Sequence, residues 1–170
     1  MTKKSRLPEV IGWREHVGLP DLGIDSIAAK IDTGARTAAL HAVDQRVFER
    51  DGVRWVEFMI PLHNRSSETR ITRPVADERE IKNTGGIPER RLIIRTRLLI
   101  GCHKWQIEVS LANREKMEFD LILGRTAIRR RGILVDPGHS FLLDQSQDRK
   151  TASNPNETSN AAEQMQGRST

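Results

Sequence analysis

Apolar positions in this chain fall in short runs separated by turn residues, and no long stretch keeps the apolar period of an amphipathic helix. That pattern predicts a mainly β domain. Residues 10–13 read as a first strand and residues 18–23 (GLPDLG) as a turn. Residues 27–31 read as a buried strand that delivers the chain into Asp32. Residues 38–47 and 53–61 flank Glu49-Arg50-Asp51-Gly52, and Asp-Gly between two apolar runs predicts a hairpin.

A second hairpin is predicted where residues 70–81 and 91–100 bracket Asn83-Thr84-Gly85-Gly86-Ile87-Pro88, with a mobile glycine-rich tip. Trp105, Ile107, Val109 and Leu111 alternate with Gln106, Glu108 and Ser110, as a half-solvated strand requires. Leu121-Ile122-Leu123 is too short for a helix and too apolar for a loop, so it reads as an interior strand ending at Gly124-Arg125. A brief helix over residues 126–131 follows, with arginines near its C-terminal end and Gly132 to stop it. Residues 133–135 and 140–143 are expected to close the domain around Asp136-Pro137-Gly138.

At 170 residues the chain suits one domain with a real core. Residues 145–170 carry almost no apolar side chains and read as a disordered tail. Residues 1–9 read as a flexible N-terminus and residues 10–144 as the folded domain. Charges in the tail cancel, Arg149, Lys150 and Arg168 against Asp148, Glu157 and Glu163, so the net +5 belongs to the rest of the chain. Such an excess favours an acidic partner: nucleic acid, an anionic surface or a carboxylate-rich peptide. Cys102 is the sole cysteine, which excludes an internal disulfide framework and a multi-cysteine zinc site. No signal-peptide core and no apolar run of membrane-spanning length is present, so a cytoplasmic location without membrane attachment is the expectation. The phosphate-cradling G-x-x-x-x-G-K-[ST] is also missing.

The stretch AKIDTGARTAAL (residues 29–40) sets Asp32-Thr33-Gly34 behind a short apolar run. Alone, the triplet has two readings. In one it is a turn, with Asp accepting backbone hydrogen bonds and Gly taking a positive φ. In the other it presents a catalytic carboxylate, and context favours this, because the strand–Gly–helix element Leu121-Ile122-Leu123-Gly124-Arg125 answers it later in the chain. That pair resembles aspartic peptidases of the retroviral type. Over residues 10–143 the resemblance extends to KIDTGARTAALHA, VADER (75–79), RTRL (95–98), LGRTAI (123–128) and LVDPGHSFLL (134–143). These segments look like the bacterial family called "ATP-dependent zinc protease", or RimB-type, whose members often accompany RimK-type glutamate ligases.

The resemblance implies a retropepsin-like closed β-barrel or sandwich with one short helix after LILGR. It also implies an aspartic peptidase that trims glutamate-rich peptide or protein tails, with an ATP-grasp glutamate ligase as functional partner; the alternatives are a non-catalytic module that binds acidic peptides or regulates the ligase, and a zinc-dependent peptidase. Asp32 from each of two chains would form the dyad, so a homodimer is expected. Thr33 would bind the two loops together, and Gly34 would let substrate backbone approach. Leu123, Gly124 and Arg125 would support the triplet from below. Ala35 and Arg36 would lie on the substrate wall, where Arg36 departs from the acidic residue of the viral pattern. With Arg79, Arg90 and Arg91 it would form a basic pocket for glutamate side chains; in the other reading Arg36 pairs internally with Asp136 or Glu118. The hairpin tip at 83–88 is either a flap or a plain solvated turn. Arg129-Arg130-Arg131 is read as a solvated helix end rather than a phosphate site, and Trp13, Trp55 and Trp105 as packing rather than base-stacking platforms, so nucleic acid is not the expected partner.

No cofactor is expected, and zinc is the alternative that the family name carries. His16, His41, His63, His103 and His139 lack H-x-x-x-H and H-E-x-x-H spacing. Adjacent Cys102 and His103 would point to opposite faces of a strand. His41 alone is expected near the Asp32 site.

Overall fold

The computed structural model describes residues 7–61, 70–83 and 85–144. The expectations for residues 1–6 and 145–170 lie outside these; Glu9, assigned to the flexible N-terminus, instead opens the first strand. Strands in chain order are β1 (Glu9–Gly12), β2 (Arg14–Leu19), β3 (Ile24–Asp32), β4 (Ala38–His41), β5 (Val43–Arg50) and β6 (Val53–Met59). They continue with β7 (Arg70–Pro74), β8 (Asp77–Lys82), β9 (Pro88–Ile100), β10 (His103–Ala112), β11 (Leu121–Gly124) and β12 (Ile133–Asp136). A 3-10 turn at Pro20–Leu22 and helix α1 (Arg125–Ile128) accompany them.

The main sheet has the order β10-β4-β11-β3-β2-β9-β8, and β10 also pairs with β9, so six strands close into a ring with β8 appended to β9. Closure removes the exposed edges that an open sheet would leave. Short β11 is the keystone, parallel to β3 on one side and antiparallel to β4 on the other. Leu121 and Leu123 are fully buried, each contributing roughly 1.5–3 kcal/mol by the usual value for a buried aliphatic side chain. Along β10 the predicted alternation holds from His103 to Glu108; beyond it, from Val109 to Ala112, both faces are buried because β4 joins its other side.

A second sheet, β5-β6-β7, docks on the ring through fully buried Val56 and Phe58. Its first hairpin turns at Asp51-Gly52, both at positive φ, with Arg50 opposite Val53, as predicted. Two predicted strands are each split between the sheets. The 38–47 run breaks at Ala42, whose N–H binds Ala112, and Asp44 at positive φ redirects the chain into the second sheet. The 70–81 run breaks after Pro74, where Val75 bonds to Arg54 in one sheet and Ala76 to Ile93 in the other.

One further expectation needs correction at the C-terminal end. Helix α1 stops at Ile128 rather than Arg131, because Arg129 leaves helical geometry at ψ 145° and Arg130 then adopts a positive φ. Residues 140–143 close the domain without a strand, and residues 142–144 are helical. The fully buried Glu15 carboxylate takes the N–H groups of Leu142 (2.9 Å) and Leu143 (3.3 Å), along with that of Gly12 (2.6 Å), so this stretch bonds to a side chain instead of a sheet. The pairing of β1 with β12 lies alongside it.

Candidate active site

Asp32 ends β3 in register with Gly124, the last residue of β11. Its Oδ1 accepts N–H groups from Gly34 and Ala35, both at 3.0 Å. Oδ1 thus shapes the loop as the turn reading expects, although Gly34 does not take the positive φ of that reading; Oδ2 makes no hydrogen bond among the described residues, and Asp32 borders a cleft of about 1420 Å³.

The loop is clamped from below. A Cβ on Gly124 would stand 2.7 Å from the Thr37 carbonyl carbon and oxygen, so only glycine lets the two segments cross here. Arg125 donates its backbone N–H to Ala35 and its guanidinium to the Thr33 and Gly34 carbonyls, at 3.0 and 2.9 Å. Thr126 adds two bonds to the Arg36 carbonyl, from its N–H and its hydroxyl. Arg125 thus braces the loop through main-chain oxygens and needs no acidic partner at position 36, where the retroviral pattern has one. Leu123, buried beneath, completes the support.

Arg36 is exposed on the cleft wall and makes no ion pair among the described residues, with Asp136 or Glu118 or otherwise. Asp136 is engaged by Gly138 and His139, which hold its carboxyl below the ordinary range. The other arginines expected in a basic pocket are less available. Arg79 lines the cleft but is bound by Asp77 at 2.6 Å and Glu108 at 2.7 Å, and these bonds raise its pKa further. Arg91 lines it too, paired with Glu89 at 2.8 Å. Arg90 lies outside the lining, pointing to solvent near Glu78.

Arg114 takes the place they leave. It lines the cleft, half-buried, with its Nε bound to the Phe119 carbonyl at 3.0 Å and no carboxylate in an ion pair with it among the described residues. Burial lowers its pKa and nearby Arg91 pushes the same way, while Asp120 and Asp32 oppose them. Its backbone N–H donates to Nδ1 of buried His41 at 2.9 Å, which fixes His41 as the Nε2–H tautomer behind the cleft. Arg114 was missed in the sequence, yet it follows the buried end of a strand almost as directly as Asp32 does.

The 83–88 hairpin borders the same cleft through Asn83 and Gly85. Its tip is tied by Asn83 Oδ1, which accepts the N–H groups of Gly85 and Ile87; Thr84 lies outside the described residues. Of the three clustered arginines, Arg129 lines the cleft and Arg131 stacks on Trp105, whose indole N–H binds Ala127.

Comparison with known proteins decides the family. Residues 10–146 match the RimB-like family, described as retropepsin-like aspartic endopeptidase RimB. The chain belongs to that family. RimB-like resemblance also brings curated relatives named probable alpha-L-glutamate ligase, 44% identical over 139 residues in Desulfotalea psychrophila and 42% identical over 146 residues in Parasynechococcus marenigrum. These cover 81% and 84% of this chain, which spans only 30% and 31% of the relatives' length. The crystal structure of Lpg0085 from Legionella pneumophila, described as of unknown function, superposes with a TM-score of 0.68 at 27% identity, covering 79% of this chain and 98% of that one. No helix among the described residues is long and apolar enough to cross a membrane.

Cys102 and His103 depart from expectation. Gly101 and Cys102 form the β9–β10 turn rather than strand, and Cys102 Sγ lies 3.8 Å from His103 Nε2, on the same side.

Proposed function

We propose that this RimB-like chain is an aspartic peptidase that cleaves acidic, glutamate-rich peptide or protein tails. Its catalytic centre is a dyad of Asp32 carboxylates contributed by two copies. The observation that carries the reading is a cleft-lining Asp32 held by its own loop amides, in a cleft shared with Arg36 and Arg114, whose guanidiniums make no ion pair among the described residues.

Each chain supplies a single Asp-Thr-Gly triplet. Two carboxylates at close range cannot both ionise cheaply and so share one proton, which leaves one carboxyl as acid while its partner activates water, a division of labour general to aspartic peptidases. Thr33 would join the two loops across the dimer, and Gly34 and Ala35 would border the substrate backbone. Arg36 and Arg114 offer forked donors to substrate carboxylates. Arg114 is the stronger partner because partial burial weakens the competition from water. Arg79 and Arg91, neutralised by their own glutamates and aspartate, shape the wall.

Relatives named as glutamate ligases support work alongside such a ligase, with this domain removing what a ligase adds. The test is mass spectrometry of an oligo-glutamate-extended peptide incubated with the protein. Native chain is expected to shorten it, and Asp32→Asn to lose at least about a hundredfold in rate with its circular dichroism unchanged. Equal cleavage by both would remove Asp32 from the mechanism; binding without cleavage by the native chain would make the domain a recognition module.

A further inference from the structure

We propose that Glu9, Cys102 and His103 form a metal site, suited to Zn²⁺, outside the Asp32 cleft. The carboxylate, thiol and imidazole ligand atoms of this trio lie within 4.8 Å of one another. Cys102 Sγ is 3.8 Å from His103 Nε2, and Nε2 is 2.5 Å from Glu9 Oε2. Zinc bonds of roughly 2.0–2.3 Å place tetrahedral ligands about 3.3–3.7 Å apart. The thiol–imidazole spacing is within about 0.1 Å of that range, and the Glu9–His103 contact opens by about 1 Å as the metal takes the place of their hydrogen bond.

The fold builds this convergence from distant segments. Gly101, at φ 55°, turns the chain sharply enough to put Cys102 beside the first residue of β10. Glu9 arrives from β1, which is anchored along its length by β12. His103 and Glu9 are about one-third exposed or less, at 27% and 35%, while Cys102 is open to solvent, so the site has both a wall and an entrance with room for water as fourth ligand. Trp105, 6.1 Å from the His103 ring, flanks it.

The other histidine–carboxylate pairs, His16–Asp144 and His139–Asp136, have no third donor within the same reach among the described residues. A mixed sulfur, nitrogen and oxygen set also separates this trio from an ordinary ion pair, since it matches zinc's ligand preference. No cysteine or histidine lines the cleft among the described residues. A metal held by the trio at the β9–β10 turn would therefore pin β1 to that turn rather than act on a peptide bond.

Titration of the full chain with Co²⁺ tests the site. One equivalent is expected to produce a thiolate-to-cobalt charge-transfer band, and calorimetry with Zn²⁺ to give a single saturable site. Cys102→Ser should abolish the band. Cys102→Ser and His103→Ala should each weaken Zn²⁺ binding at least about tenfold, a loss that even outer-shell changes commonly reach, while His139→Ala leaves it unchanged. Circular dichroism establishes that each variant is folded. Absence of the band, or Zn²⁺ affinity in folded Cys102→Ser and His103→Ala equal to native, would overturn the site.

Discussion

Two sides of one cleft are held in different ways. On the Asp32 side, the loop is fixed by backbone contact: the Gly124 crossing, the Arg125 fork on two carbonyls and the Thr126 pair on Arg36. On the β8–β9 side, Arg79 and Arg91 are fixed by side-chain ion pairs with partly exposed partners. The first arrangement tolerates almost no change in volume or geometry. The second trades one charged contact for another at small cost, as exposed pairs generally do. In the proposed peptidase the rigid side would position the carboxylate, and choice of substrate would fall to Arg36 and Arg114, which have no ion pair among the described residues.

The largest break in this comparison is expected from Gly124→Ala. Its added methyl meets main-chain atoms that cannot move aside, so thermal or denaturant unfolding should show a loss of about 1–3 kcal/mol, together with lost peptidase activity. Stability equal to native would show that the crossing tolerates a Cβ. Next comes Arg114→Ala, expected to lower kcat/KM for a glutamate-rich peptide roughly ten- to a hundredfold, from the usual strength of a charged hydrogen bond, and to spare a neutral peptide. Arg79→Ala should change that ratio much less, because its guanidinium is already engaged. If Arg79→Ala costs more than Arg114→Ala, the assignment of free and occupied cations is reversed.

The smallest effect belongs to a pair remote from the Asp32 loop. Asp21 accepts the backbone and side-chain N–H groups of Arg97, and this bonding, chiefly from the side chain, holds its carboxyl below the ordinary range. A carboxyl lowered by folding stabilises the protein above the unfolded-state carboxylate pKa and loses that contribution as pH falls through the folded one. Unfolding measured against pH should therefore show a slightly shallower acid limb in Asp21→Asn. An acid limb identical to native would remove this pair from the acid response.

The same contrast explains what could be read from residues alone. AKIDTGARTAAL and LILGR were legible because a backbone crossing demands particular residues: a glycine where a Cβ would collide, an Asp whose side chain serves its own loop. The interior strand at 121–123 and the Asp51-Gly52 turn were legible for similar local reasons. Strand breaks at Ala42 and after Pro74 were not, since each depends on which of two sheets claims the next residue. The basic pocket was half legible. Arg36 reaches the cleft, but whether Arg79, Arg90 or Arg114 faces it unpaired depends on carboxylates brought from other strands. Likewise Cys102 and His103 diverge only if both belong to a strand; with Cys102 in the turn, they come together.

The central claim is that two Asp32 carboxylates from separate chains make one catalytic centre. Mixing native protein with increasing Asp32→Asn at constant total concentration, after exchange of subunits, tests it most directly with the glutamate-extended peptide as substrate. A shared dyad predicts activity falling as the square of the native fraction, to about one quarter in an equal mixture if subunits pair at random in a two-fold dimer. A fall in simple proportion to the native fraction would contradict it.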